Sequence, residues 1–143
     1  MNLVHVLLVE DNDGDIVLTL EAFEESKIKT NISVVKNGKE ALDFLNFRGK
    51  HQDVERPDLI LLDLNIPIIS GMEVLKEIKQ DVKLKTIPVI VLTTSSNPKE
   101  VKLAYELYTN SFVTKPLDMD EFLKTILSIK EFWLQICKLP EQA

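Results

Sequence analysis

Residues 59–67 read LILLDLNIP: four apolar side chains in succession, Leu59 to Leu62, then a carboxylate, Asp63, with Pro67 four residues beyond it. A run this short, with no polar alternation, predicts a strand buried on both faces. Strands of that kind belong to a parallel sheet covered by helices. The carboxylate at the tip is then the feature to explain, because it is carried out of the core on a segment that otherwise belongs there.

Working outward, the same pattern repeats. Val4 to Val9 is a run rich in β-branched residues that can be buried on both faces, Ile32 to Val35 reads as a shorter strand, Ile87 to Leu92 as another, and Ser111 to Thr114 as the last. Between them the spacing turns helical. Ile16, Leu20 and Phe23 predict a helix over 14–26; Ala41, Leu42 and Leu45 mark a second; Val74, Leu75 and Ile78 a third. Asn97-Pro98-Lys99-Glu100 carries an N-cap residue, proline at the first helical position and an acid at the third, which starts a fourth helix. Asp118 followed by Glu121 opens a fifth, expected to reach about Cys137, while residues 46–57 read as a loop. Five strands interleaved with five helices, joined by right-handed crossovers, predict one doubly wound α/β domain. No repeat or linker sets off a second one.

The bulk properties narrow the function classes. A chain of 143 residues with net charge −6 lacks the clustered Lys and Arg that phosphate contacts need, which argues against nucleic acid. The single cysteine, Cys137, cannot form an internal disulfide and fits a reducing compartment. The first apolar stretch is broken by Glu10 and Asp11 and has no basic flank, so it does not read as a signal peptide. No stretch approaches the roughly 20 apolar residues of a membrane helix. The expectation is a soluble, cytoplasmic protein with no membrane partner.

In an open parallel sheet, ligands bind in the crevice beyond the carboxyl ends of the strands. The first strand delivers Glu10 and Asp11 there, the third Asp63, the fourth Thr93, Thr94 and Ser95, and the fifth Lys115 and Pro116. Three carboxylates so close repel one another, and Lys115 offsets one charge only. A hard divalent cation that prefers oxygen ligands, Mg²⁺ above all, offsets the rest. A carboxylate, a cation, an ammonium and a hydroxyl are what phosphoryl transfer to an aspartate requires. Each residue alone has a plainer reading: Asp63 as a turn former, Glu10-Asp11-Asn12 as a helix cap, Thr93 in a turn, Lys115 as a solvated charge. It is their coincidence at four strand ends that points to Asp63 as a phosphoacceptor.

LLVEDN (7–12), LLDLNIPIISGMEVL (61–75), VLTTS (91–95) and FVTKP (112–116) resemble the receiver domains of two-component response regulators over nearly the whole chain. The resemblance implies a flavodoxin-like sheet of strand order 2-1-3-4-5. It implies that Asp63 accepts a phosphoryl group from a sensor histidine kinase, with Glu10, Asp11, Asp63 and the backbone carbonyl of Asn65 around Mg²⁺. Thr93 and Lys115 would meet the phosphoryl oxygens, Phe112 would be the aromatic switch, and Lys115-Pro116 would be a cis peptide. On packing grounds alone Phe112 reads equally as a core aromatic. The protein is expected to be no enzyme beyond assisting its own phosphorylation and dephosphorylation.

EDNDGD (10–15), the Arg48-Gly49 loop before RPDLILLDLN (56–65) and Glu131-Phe132-Trp133-Leu134 are similar to the small single-domain regulators paired with bacterial, especially cyanobacterial, phytochrome kinases. Ile68-Ile69-Ser70 departs from that pattern, since charged residues are expected in this loop. A DNA-binding output domain would need about 60 further residues. Output is therefore expected through a downstream protein or a phosphotransfer protein. Met119, Phe122, Leu123, Ile126, Ile129, Trp133 and Ile136 give the last helix an apolar stripe, with Leu127, Phe132 and Leu134 off it. Residues from about 118 to 143 either fold back on the core or form a homodimer surface, and the surplus of apolar side chains favours the homodimer.

Three other functions fit less well. An aspartyl-phosphate phosphatase commonly needs an acid where Asn65 stands. A flavin carrier needs a phosphate-cradling loop where Glu10 and Asp11 stand. A phosphorylation-independent binding module leaves the acceptor set unexplained.

Overall fold

The computed structural model describes residues 3–25 and 28–141. Its five parallel strands are β1 (Val4–Val9), β2 (Thr30–Val35), β3 (Leu59–Leu62), β4 (Val89–Thr93) and β5 (Ser111–Thr114), in the order β2-β1-β3-β4-β5. The helices are α1 (Asp13–Glu24), α2 (Gly38–Leu45), α3 (Gly71–Gln80), α4 (Pro98–Glu106) and α5 (Met119–Lys130). This is the doubly wound flavodoxin-like arrangement expected. No helix among the described residues is long and apolar enough to cross a membrane.

Successive side chains of a strand point to opposite faces, so each central strand feeds two cores. Leu7, Val9, Ile60, Leu62 and Val91 pack with α2, α3 and Ala104 of α4; Val6, Leu8, Leu61, Ile90 and Leu92 pack with α1 and α5. All four residues of β3 are fully buried, as the opening run demands. Register aligns Val9 with Leu62 and Leu62 with Val91, so the residues that follow β1 and β3 leave the sheet side by side.

The helices start where their caps dictate. Asn12 accepts from the Asp15 N–H, Asn37 from Glu40, Ser70 from Glu73, Asn97 from Lys99 and Asp118 from Glu121. Because Asn12 caps α1, that helix begins at Asp13 rather than 14; Ser26, taken into it by periodicity, lies outside the described residues. β4 begins at Val89, two residues later than expected, because the Ile87 N–H is used by the Leu84 carbonyl in a turn. The loop over 46–57 contains a short 3-10 turn at Gly49–His51.

The fifth helix ends differently from expectation. Its α-helical part stops at Lys130, and Glu131–Ile136 continue as a π-helical turn closed by the Cys137 N–H on the Phe132 carbonyl, 2.7 Å. Lys130 is fully buried at this transition and donates to the Phe23 carbonyl near the C-terminus of α1, whose last turn has no basic residue of its own. A cation there complements the negative end of the α1 dipole. Trp133 and Leu134 pack back on the α1–α5 core, whereas Phe132 and Ile136 face solvent.

The expected cis peptide is not found. No cis peptide bond occurs among the described residues, so Lys115-Pro116 is trans, the form an X-Pro bond favours by about 0.5–1 kcal/mol when nothing selects the other.

Candidate functional site: an acid pocket at the strand ends

β1 and β3 end beside each other and put Glu10 and Asp63 in the crevice, both nearly buried, with Asp11 exposed at the rim. The site is anchored through backbone: the Glu10 N–H bonds the Val35 carbonyl and the Asp63 N–H bonds the Val9 carbonyl, each at 3.0 Å. One carboxylate oxygen from each of Glu10, Asp11 and Asp63 lies within 4.8 Å of the others. That all-oxygen set suits a hard divalent cation, and Mg²⁺ fits it.

Lys115, delivered by β5 and only 5% exposed, reaches across this cluster. Its Nζ lies 2.5 Å from Glu10 Oε2, 3.0 Å from Asp63 Oδ2 and 3.0 Å from Asp15 Oδ2. The remaining oxygens are also held: Glu10 Oε1 accepts from the Asn12 N–H at 3.1 Å, and Asp63 Oδ1 from the Asn65 N–H at 3.0 Å. Burial pushes the Glu10 carboxyl up to about 7; the bond from Lys115 opposes this and the Asp63 charge adds to it. Burial also acts to lower the Lys115 ammonium, but the hydrogen bonds to Glu10 and Asp15 and the charges of Glu10 and Asp63 outweigh it and hold the group above its ordinary range.

Thr93, the last residue of β4, has no solvent exposure, and its hydroxyl has no hydrogen-bond partner among the described residues. Phe112 is half-buried on β5, packed against the core that α2, α3 and α4 cover, and its N–H donates to the Tyr105 hydroxyl of α4 at 3.2 Å. The structure thus brings Glu10, Asp11, Asp63, Asn65, Thr93 and Lys115 to one crevice, with Phe112 on the strand that bears the lysine.

The loop after Asp63 is tightly built. The Gly71 N–H bonds the Leu64 carbonyl, and a Cβ on Gly71 would stand 2.2 Å from the Asp63 carbonyl oxygen, so only glycine lets α3 start this close to the acid. Ile68 sits at φ 72°, rare for a β-branched residue, in a γ-turn closed by the Ile69 N–H on the Pro67 carbonyl at 2.9 Å. Its side chain is 73% exposed. The two isoleucines therefore part company: Ile68 projects to solvent and Ile69 packs against the core.

Asp15 is the neighbour of the site that sequence reasoning missed. It was absorbed into the helical pattern of α1, although it is the third helical residue after the Asn12 cap. The signal was available: a helix that starts two residues after Asp11 must hang its first turn over the same crevice.

Residues 6–127 match the response regulator receiver domain family. Among curated proteins the chain is 43% identical over 135 residues to the response regulator Rcp1 of Synechocystis sp., covering 94% of this chain and 92% of that protein. It is 40% identical over 131 residues to a probable methanogenesis regulatory protein, FilR2, of Methanothrix harundinacea, covering 90% and 83%. Among solved structures it superposes on the phosphorylated cyanobacterial phytochrome response regulator RcpA with TM-score 0.95, at 41% identity over 98% of this chain and all of that one. The Mn²⁺-bound form of Rcp1 gives 0.94, at 42% identity, covering 96% and 99%. With the fold, the acid pocket and the buried lysine in the same places the motifs assign them, the chain belongs to the response regulator receiver domain family.

Proposed function

We propose that Asp63 accepts a phosphoryl group from the phosphohistidine of a sensor kinase, and that Thr93, Lys115 and Phe112 convert that event into a change of surface. The observation that carries this reading is the Lys115 ammonium, 3.0 Å from Asp63 inside a three-carboxylate cluster, together with the fully buried Thr93 hydroxyl, which has no hydrogen-bond partner among the described residues. An Asp63 oxygen forms the new bond to phosphorus as the phosphorus–nitrogen bond of the donor breaks, and the electron pair stays on the imidazole. Hydrolysis by water returns the carboxylate and releases phosphate.

Glu10, Asp11, Asp63 and the Asn65 carbonyl would hold Mg²⁺, which when bound neutralises charge on the phosphoryl oxygens. Lys115 holds a second share of that charge, and the Thr93 hydroxyl donates to a phosphoryl oxygen. Movement of Thr93 toward the site frees space near β4 into which Phe112 turns. The protein does not turn over a separate substrate; it assists its own phosphorylation and dephosphorylation.

The likeness to RcpA and Rcp1 supports a phytochrome-type kinase as the donor, with the signal passed in the cytoplasm to a downstream protein or a phosphotransfer protein. Exposed Leu103, Tyr105, Tyr108, Leu117, Met119, Phe132 and Ile136 support a homodimer surface on α4, α5 and the tail.

The test is intact-protein mass spectrometry after incubation with acetyl phosphate and Mg²⁺. One phosphoryl group is gained by the wild type and none by Asp63→Asn; equal labelling of the variant overturns the assignment.

A further inference from the structure

Lys115 has three carboxylate partners, but only two of them belong to the cation cluster. Glu10 and Asp63 share their charge with any divalent ion bound there, whereas Asp15 stands outside the cluster, on the first turn of α1, 3.0 Å from the ammonium. We propose that Asp15 is a positioning residue for Lys115, which tethers the ammonium while the site is unphosphorylated and competes for it with the phosphoryl group. The proposal rests on Asp63 being the acceptor.

The argument is one of competition for a single cation. A bound divalent ion draws on the charge of Glu10 and Asp63 and repels the ammonium, so the attraction of Lys115 to those two weakens. Asp15 is then the anion that still balances it and keeps it beside the acceptor. When a phosphoryl group arrives, it brings about two negative charges and three acceptor oxygens to the same place. Lys115 must turn to it, which strips Asp15 of its partner and leaves that carboxylate facing another anion.

Release is feasible because the Asp15 side chain is 26% exposed, and water can solvate it once the ammonium leaves. Glu10 lacks that outlet, its side chain being 4% exposed. Asp15 therefore sets how readily Lys115 changes partners, and with it the balance between the resting and phosphorylated states.

The experiment measures two affinities of the full chain, wild type and Asp15→Asn: Mg²⁺ alone, and beryllofluoride at saturating Mg²⁺. The expected result is a split in sign. The variant binds beryllofluoride roughly three- to tenfold more tightly, because the competitor for Lys115 is gone. It binds Mg²⁺ no better, and up to about threefold more weakly, because one nearby negative charge is gone. Asp15→Glu returns both affinities toward wild type. In the metal-free protein the ammonium resonance of Lys115 shifts in Asp15→Asn.

If Asp15 only supports the start of α1, Asn, which keeps the shape, leaves both affinities unchanged, or both weaken together; either result overturns the proposal while leaving the acceptor reading intact. A wild type that binds no beryllofluoride overturns the acceptor reading and this proposal with it.

Discussion

A hydroxyl that is fully enclosed and unbonded, as at Thr93, costs about 1–3 kcal/mol of stability. No partner among the described residues recovers that cost, and in the proposed mechanism a phosphoryl oxygen would supply the acceptor. Thr93→Val keeps the shape and removes the orphan. It is expected to raise stability in urea denaturation by about 1 kcal/mol and to weaken beryllofluoride binding at least roughly tenfold. Glu10 offers a second measurement at this scale. Burial holds its carboxyl at about 7 in the folded chain against 4.5 otherwise. The folded state therefore binds the proton more tightly, a stabilisation present in full below 4.5 and lost as pH rises through about 7. In chelator, stability should fall across that window by at most about 3 kcal/mol, and Glu10→Gln should flatten the slope. Lys115, raised above its ordinary 10.5, stays charged throughout and adds nothing to the slope.

Among the helices, α4 is the one least tied to the sheet. Only Ala104 is buried, where α2 and α3 each bury four or more residues. Its other anchor is polar: the Tyr105 hydroxyl accepts the Phe112 N–H at 3.2 Å, covering one donor on the open edge of β5. A helix whose one fully buried side chain is an alanine has little apolar contact to hold it, which suits the proposed switch at Phe112. Tyr105→Phe should cost roughly 0.5–1.5 kcal/mol and speed hydrogen exchange of the Phe112 amide, with α4 amides following. Unchanged exchange at Phe112 would contradict the tether.

At the scale of the molecule, the acid pocket at one end and the apolar surface of α4, α5 and the tail are joined through β4 and β5. A ligand that favours one state shifts the whole by its differential affinity and no more. Mg²⁺ should stabilise the fold by about 2.7 kcal/mol at one hundred times its dissociation constant, and Asp11→Ala should lose most of that in thermal melts. Beryllofluoride should change self-association in analytical ultracentrifugation, through Leu117, Met119 and Tyr108, which stand exposed in the single chain. Identical sedimentation with and without it would separate the acceptor chemistry from this surface.

What was legible in the sequence is what depends on short-range pattern. Leu59 to Leu62 read as a doubly buried strand because burial on both faces forbids polar residues along it, and the observed β3 has the same bounds. Once five strands alternate with helices, strand ends must converge, so Glu10, Asp11, Asp63, Thr93 and Lys115 could be brought to one crevice without coordinates. The caps at Asn97 and Asp118 were equally local and equally readable. Tertiary structure decided the rest, because it depends on how far each helix is rotated on the sheet. The Asp15–Lys115 pair spans 100 residues, Lys130 reaches Phe23 across 107, and Tyr105 meets Phe112 only through the docking of α4 on β5. Helical periodicity assigns a residue to a face but not to a partner, and α5 changes to π-helical winding where Lys130 is buried against α1. Partners of that kind are set by side-chain packing between elements, to which residues distant in the chain contribute together.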